Sequence, residues 1–185
     1  EKSKLEPGYI KSYLPGVREN GGQYTHAAVW AIIAETFLGR GDTAVELYRM
    51  ITPIEHARTK ETANKYKVEP YVISADVYTQ KNLAGRGGWT WYTGSSSWMY
   101  EAGIKYVLGL RIENGYLSIQ PCIPSDWKEY SIKYKYKNSV YNIHVYNPNG
   151  KNNTVESFKL NGQEIQDKKI ELDSKGGVYN IEMFM

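Results

Sequence analysis

The stretch Leu108-Gly109-Leu110-Arg111-Ile112-Glu113-Asn114-Gly115-Tyr116-Leu117-Ser118-Ile119 marks a change of period. Up to Gly109 apolar residues recur at helical spacing. Beyond it they alternate around Asn114-Gly115, a favoured two-residue hairpin turn because both positions tolerate left-handed backbone angles. Ile132, Tyr134 and Tyr136 then alternate with lysines, Tyr141, Ile143 and Val145 follow on another strand, and Asn149-Gly150, Asn161-Gly162 and Gly176-Gly177 mark turns. The expected fold class is α+β, with a helical segment over residues 1–109 and an antiparallel sheet or sandwich over residues 110–185.

Upstream of the switch, residues 1–22 read as irregular, since Pro7-Gly8, Pro15-Gly16 and Gly21-Gly22 break any period. Within them Val17-Arg18-Glu19-Asn20 is an exposed polar turn leading into a helix. That helix is expected from Gln23 to Leu38, largely buried through Ala27, Trp30, Ala31, Ala34, Phe37 and Leu38, with Gly39 as its stop. His26 falls in its first turn, where a histidine is more often structural than functional, yet Thr25 and His26 at a helix start beside Gly21-Gly22 also suit anion contact. Asp42 is expected to cap a second helix that ends before Pro53. His56 and Arg58 fall in a polar connector without metal-like spacing. The segment from Lys67 to Tyr78 reads as a strand or a short buried helix; Pro70 disfavours helical angles at Glu69, and a helical turn is expected over Ala75–Tyr78.

The run Gly85-Arg86-Gly87-Gly88-Trp89-Thr90-Trp91-Tyr92-Thr93-Gly94-Ser95-Ser96-Ser97-Trp98 has the build of a site. Glycines let a backbone approach a ligand, tryptophans offer flat faces to sugar rings, and Thr93 with Ser95 can cap the helix expected from about Ser95 to Leu108. Free amides at a helix start, with the positive end of its dipole, suit phosphate or carboxylate. Each tryptophan taken singly is more often a core residue than a ligand contact.

Composition excludes several classes. The 23 basic and 20 acidic residues give a formal charge of +3 with no basic stripe, which argues against nucleic acid. Cys122 is alone, so no internal disulfide or cysteine zinc site forms; a small buried apolar role is expected. Seventeen tyrosines and five tryptophans against three phenylalanines favour surfaces that pair an apolar face with a polar edge, as carbohydrate-handling proteins do. No secretory leader or membrane-spanning run follows the charged start Glu1-Lys2-Ser3-Lys4, so a soluble protein is expected, and Glu1 in place of methionine suggests a piece of something longer.

Three ordered motifs, Arg18-Glu19-Asn20-Gly21-Gly22-Gln23-Tyr24-Thr25-His26-Ala27, Tyr66-Lys67-Val68-Glu69-Pro70-Tyr71-Val72 and Gly85 to Trp98, together resemble the carboxy-terminal part of glycoside hydrolase family 94. That family contains cellobiose, chitobiose and related disaccharide phosphorylases and the phosphorylase domain of cyclic β-1,2-glucan synthases. Pro15-Gly16-Val17-Arg18-Glu19-Asn20-Gly21-Gly22 and Ala75-Asp76-Val77-Tyr78 look closest to the glucan-synthase branch. Gly109 to Pro148 fits as well, and the last forty or so residues match weakly.

The resemblance implies the end of an (α/α)6 barrel over residues 1–109 followed by a C-terminal β-sandwich. It implies that inorganic phosphate, the co-substrate, attacks a β-glucoside with inversion to give an α-sugar 1-phosphate; no cofactor and no metal is implied. Residue by residue, His26 matches the family's phosphate-contacting histidine, Thr93 and the Gly94 amide match its phosphate-binding pair, and Arg18 with Glu19 match the pair that hydrogen-bonds sugar hydroxyls.

Two departures matter. The family's general-acid aspartate lies in an upstream motif this chain lacks, so no catalytic residue is assigned and the isolated chain is expected to be inactive. Alanine at position 75 stands near a sugar-contacting glutamine of several relatives and leaves sugar preference open. Expected partners are β-linked glucosides or oligoglucans, phosphate, the upstream part of the same enzyme and a second copy in a homodimer. The expected location is the bacterial cytoplasm, or the cytoplasmic side of the inner membrane in a glucan synthase. The alternatives are a non-catalytic carbohydrate-binding module and a purely structural scaffold.

Overall fold

The computed structural model describes residues 4–185; the start Glu1-Lys2-Ser3 lies outside the described residues. The described chain gathers into two compact units, one formed by residues up to Ile32 with Glu46–Tyr100, the other by Ile33–Val45 with Glu101–Met185.

The first unit opens irregularly apart from a short 3₁₀ turn, Gly8–Ser12. Strand β1 (Gln23–Tyr24) runs directly into helix α1 (Thr25–Phe37), which is followed by α2 (Gly41–Ile51), α3 (Pro53–His56) and α4 (Lys60–Tyr66). Sequence reading missed α4, whose cap is local and reciprocal: the Thr59 hydroxyl accepts Thr62 N–H and the Thr62 hydroxyl accepts Thr59 N–H, both at 3.1 Å. Segments β2 (Asp76–Val77) and β3 (Gly87–Gly88) pair with β1 in the order β1-β2-β3, Tyr24 opposite Asp76 and Asp76 opposite Gly88. The helical turn expected over Ala75–Tyr78 is therefore a strand. Helix α5 (Thr93–Glu101) continues into a π-helical segment, Ala102–Val107.

The face of α1 is the main correction. Val29, Ile32 and Ile33 are buried, whereas Ala27, Trp30, Ala31, Ala34, Phe37 and Leu38, expected inside, are exposed. The helix is apolar on both faces, so spacing identifies a helix without choosing the covered side. Asp42 also departs from expectation. It sits within the first turn of α2, and its carboxylate accepts from Ser125 N–H at 2.9 Å and from Asn152 Nδ2 at 2.9 Å. Those bonds, Ser125 N–H first, hold it below the usual carboxylate range.

In the second unit, β4 (Leu110–Glu113) and β5 (Tyr116–Ile119) form the expected hairpin, with Asn114 at φ 51° and Gly115 at φ 82°. The remaining strands are β6 (Glu129–Tyr136), β7 (Ser139–Tyr146), β8 (Ser157–Leu160), β9 (Gln163–Glu164), β10 (Lys169–Glu171) and β11 (Gly177–Phe184). They build a three-stranded sheet, β10-β5-β4, and a five-stranded one, β6-β7-β11-β8-β9. Leu117, Ile119 and Ile170 from the first meet Tyr141, Ile143, Phe158, Ile181 and Met183 from the second in one hydrophobic cluster. The larger sheet is mixed, not antiparallel as expected, because β11 runs parallel to β7 from Gly177 opposite Ser139 to Phe184 opposite Tyr146. Alternation fixes which face a residue takes and is blind to strand direction, so the pattern could not distinguish the two. Cys122 is buried as expected, and burial pushes its thiol up to about 11.

Among the described residues no helix is long and apolar enough to cross a membrane, and no cluster of three or more His, Cys, Asp or Glu is arranged to hold a metal ion.

Candidate functional site

The small sheet β1-β2-β3 ties together stretches of the first unit that lie far apart in sequence. Gly88 faces Asp76 so closely that any Cβ there would overlap the Asp76 Oδ1 atom and the Tyr78 ring. Glycine is required at this point by contact, not by a turn.

Arg18 and Glu19 occupy the tip of a tight turn closed by Asn20 N–H to Val17 C=O at 3.0 Å. Arg18 stands at φ 45°, left-handed for a residue with a side chain, and its N–H donates to Asp76 Oδ2 at 3.1 Å. Asp76 is 1% exposed and its Oδ1 has no hydrogen-bond partner. Burial raises the Asp76 pKa, while the Arg18 N–H and guanidinium pull it down in part. A buried carboxylate thus positions the Arg18 backbone.

The Arg18 guanidinium stacks over the Trp89 ring at 4.6 Å and the Tyr13 ring at 5.3 Å, and donates to Tyr13 OH at 3.3 Å. Trp89 in turn stacks on Tyr92 at 4.7 Å between centroids. Burial first, then the neighbouring Tyr92 hydroxyl and the charge of Glu19, raises the Tyr24 pKa. Tyr92 directly precedes Thr93, the first residue of α5.

His26 is the second residue of α1, half-buried, its ring 5.0 Å from Trp30 and 5.5 Å from Trp98 on α5. Its Nε2 is buried without a partner, as are the Gln23 amide atoms and the Ser95 hydroxyl. Ser95 therefore caps nothing, contrary to expectation. Thr93 is exposed and Gly94 half-buried at the helix start. Trp89 and Trp91 are exposed rather than core; Trp98 is half-buried.

Arg18 is joined through Trp89 to Tyr92, the residue before Thr93, and His26 is joined by Trp98 to the helix that Thr93 and Gly94 begin. Glu19 is exposed next to Arg18 and is not brought to the others by any hydrogen bond or ring contact among the described residues. Sequence reading assigned no role to Asp76, Tyr13, Tyr24 or Tyr92, and excluded Asp76 as the general acid. Tyr92 lay inside the quoted loop, but the Asp76 role depends on a pairing between residues 58 apart in the chain. Chemically, stacked aromatic faces with an arginine, a carboxylate and tyrosine hydroxyls suit a pyranose ring, and a helix start with a threonine hydroxyl and a glycine N–H suits an oxyanion.

Residues 1–109 match the family model for the glycosyl hydrolase 94 superfamily catalytic domain, and residues 110–166 match that for the glycosyl hydrolase family 65 C-terminal domain. The cyclic beta-(1,2)-glucan synthase NdvB of Rhizobium meliloti is 49% identical over 145 residues, which cover 78% of this chain and 5% of that protein. The N,N'-diacetylchitobiose phosphorylase of Vibrio furnissii is 34% identical over 160 residues, 85% of this chain and 20% of that protein. The solabiose phosphorylase of Paenibacillus borealis is 30% identical over 179 residues, 96% of this chain and 23% of that protein. The chain spans 5% to 23% of the length of these relatives.

Proposed function

Because the chain belongs to the glycosyl hydrolase 94 superfamily, we propose that it is the C-terminal part of an inverting carbohydrate phosphorylase acting on β-linked glucosides, in the β-1,2-glucan branch. On this reading residues 1–109 form the end of an (α/α)6 barrel and residues 110–185, which follow in the chain, form a C-terminal β-sandwich. His26, the Thr93 hydroxyl and the Gly94 N–H hold inorganic phosphate, and Arg18 with Glu19 hold sugar hydroxyls.

The observation that carries the reading is the linkage of Arg18, through Trp89 and Tyr92, to the start of α5 at Thr93. In inverting hydrolysis one carboxylic acid protonates the leaving oxygen while a second carboxylate activates water. Phosphate is already an anionic nucleophile, so a seat that binds and orients it replaces the second carboxylate. The leaving oxygen still needs a proton. Asp76 is too buried and too engaged with Arg18 to supply it, and the acid belongs to the upstream part of the enzyme. The isolated chain is accordingly inactive.

The exposed Trp30 and Phe37 of α1 and Leu38 just after it support an upstream partner, which would remove these apolar side chains from water. The complete enzyme works in the cytoplasm, or at the cytoplasmic side of the inner membrane if it is a glucan synthase, and a second copy completes a homodimer.

The test is phosphate consumption by the upstream-extended protein on β-1,2-, β-1,3- and β-1,4-linked glucosides, beside His26→Ala and Thr93→Ala. The expected result is α-glucose 1-phosphate from one linkage, with both variants impaired mainly in their use of phosphate. If no linkage yields sugar phosphate, the phosphorylase reading fails and a carbohydrate-binding module takes its place.

A further inference from the structure

Trp91 is at odds with its own unit. Its backbone stands at φ 62°, a region that bulky side chains enter only under strain, and strain of this kind persists where surroundings or function demand it. Packing does not demand it here, because the indole is 67% exposed. Two neighbours hold the ring. Its Nε1–H donates to Glu69 Oε1 at 3.2 Å, and Tyr71, itself 74% exposed, meets it nearly edge to face, with centroids 6.3 Å apart and planes at 68°. The other tryptophans of the loop differ: Trp98 packs on His26 and Trp30, and Trp89 stacks with both Tyr92 and the Arg18 guanidinium. No hydrogen bond engages Glu69 Oε2 among the described residues.

We propose that Tyr71, Trp91 and Glu69 form a stacking corner for one neutral glucosyl residue of a β-linked oligosaccharide. A β-glucopyranose carries its hydroxyls at the equator and only C–H bonds on its faces. One face lies on the indole, an edge meets Tyr71, and a hydroxyl donates to Glu69 Oε2. The carboxylate sets the ligand class, since it accepts from a hydroxyl and repels a phosphorylated sugar. Glu69 also fixes the indole rotamer before the sugar arrives, so little side-chain freedom is lost on binding.

The inference rests on the carbohydrate reading above and requires neither phosphate nor His26. Its test follows the indole N–H resonance of Trp91, identified by its loss in Trp91→Phe, while the chain is titrated with β-1,2-linked glucotriose without phosphate. A saturable shift of that resonance is expected. Trp91→Ala should weaken binding by about tenfold or more, a change equivalent to about 1.4 kcal/mol. Trp91→Gly, whose backbone suits φ 62°, should lose binding equally while melting no lower than the parent, a combination that a packing role for the ring would not produce.

An unmoved Trp91 resonance, or parental affinity in Trp91→Gly, overturns the proposal. A parallel phosphate titration followed at the Thr93 and Gly94 amides separates the two readings. Phosphate shifts without a sugar response at Trp91 refute only the stacking corner, and a sugar response at Trp91 without phosphate shifts refutes only the phosphate seat.

Discussion

Replacing Asp76 by asparagine asks which influence governs the buried carboxyl that positions Arg18. Two sets act in opposition: burial at 1% exposure, with a smaller push from the Glu19 charge, disfavours the charged form, and the Arg18 N–H and guanidinium favour it. Burial wins, so the folded-state pKa lies above the ordinary value of 3.8. In the window between those two values the folded protein keeps a proton that the unfolded chain has released. The stabilisation from this group is therefore fully present below the unfolded value and is lost as pH rises through the folded one.

Each pH unit of that window is worth about 1.4 kcal/mol. The side chain introduced by Asp76→Asn does not titrate. Its carbonyl can accept from Arg18 N–H, but its NH2 then takes the place of Oδ1, which has no partner, at a constant cost of about 1–3 kcal/mol. Urea unfolding of both proteins from pH 4 to 7.5 separates that offset from the slope. The expected outcome is a variant that starts less stable at pH 4 and gains on the parent as pH rises. A flat difference would mean that Arg18 cancels burial, and one that moves the other way that it outweighs it; either would refute the argument.

Two further outcomes concern the second unit. Asn147 is fully buried and binds Trp127 C=O at 3.0 Å, Lys151 C=O at 2.8 Å and Lys151 N–H at 2.8 Å, so Asn147→Ala should cost about 3 kcal/mol at about 1 kcal/mol per bond; a loss under about 1 kcal/mol by urea unfolding contradicts this. The Cys122 thiol, buried and pushed up to about 11, should react with a disulfide reagent at pH 8 only as fast as the unit opens, and promptly in denaturant. Rapid labelling of the folded protein would show that the site is open.

The residues proposed for the candidate site came from the family resemblance, which rests on local motifs. Arg18, Glu19, His26, Thr93 and Gly94 lie in short ordered motifs, and a loop dense in glycine and tryptophan ahead of a helix announces itself without a fold. What joins them was not legible. The pairing of Tyr24 with Asp76 and of Asp76 with Gly88 uses strands of two residues each, too short for any alternation to register. Trp91 illustrates the same limit. The sequence left it either a core residue or a flat face for a sugar, and its exposure, its backbone angle and the bond to Glu69 show a ring held outward.

By itself the sequence determined the change from helical to alternating period at Gly109, the hairpin at Asn114-Gly115 and the presence of α1. Each follows from angles and spacings within a few consecutive residues. Tertiary structure alone decided that α1 buries Val29 and Ile32 rather than Trp30 and Phe37, and that β11 enters beside β7 in the parallel sense. Both depend on what a segment meets from elsewhere in the chain. Periodicity records that a face can be buried, and only the partner determines whether it is.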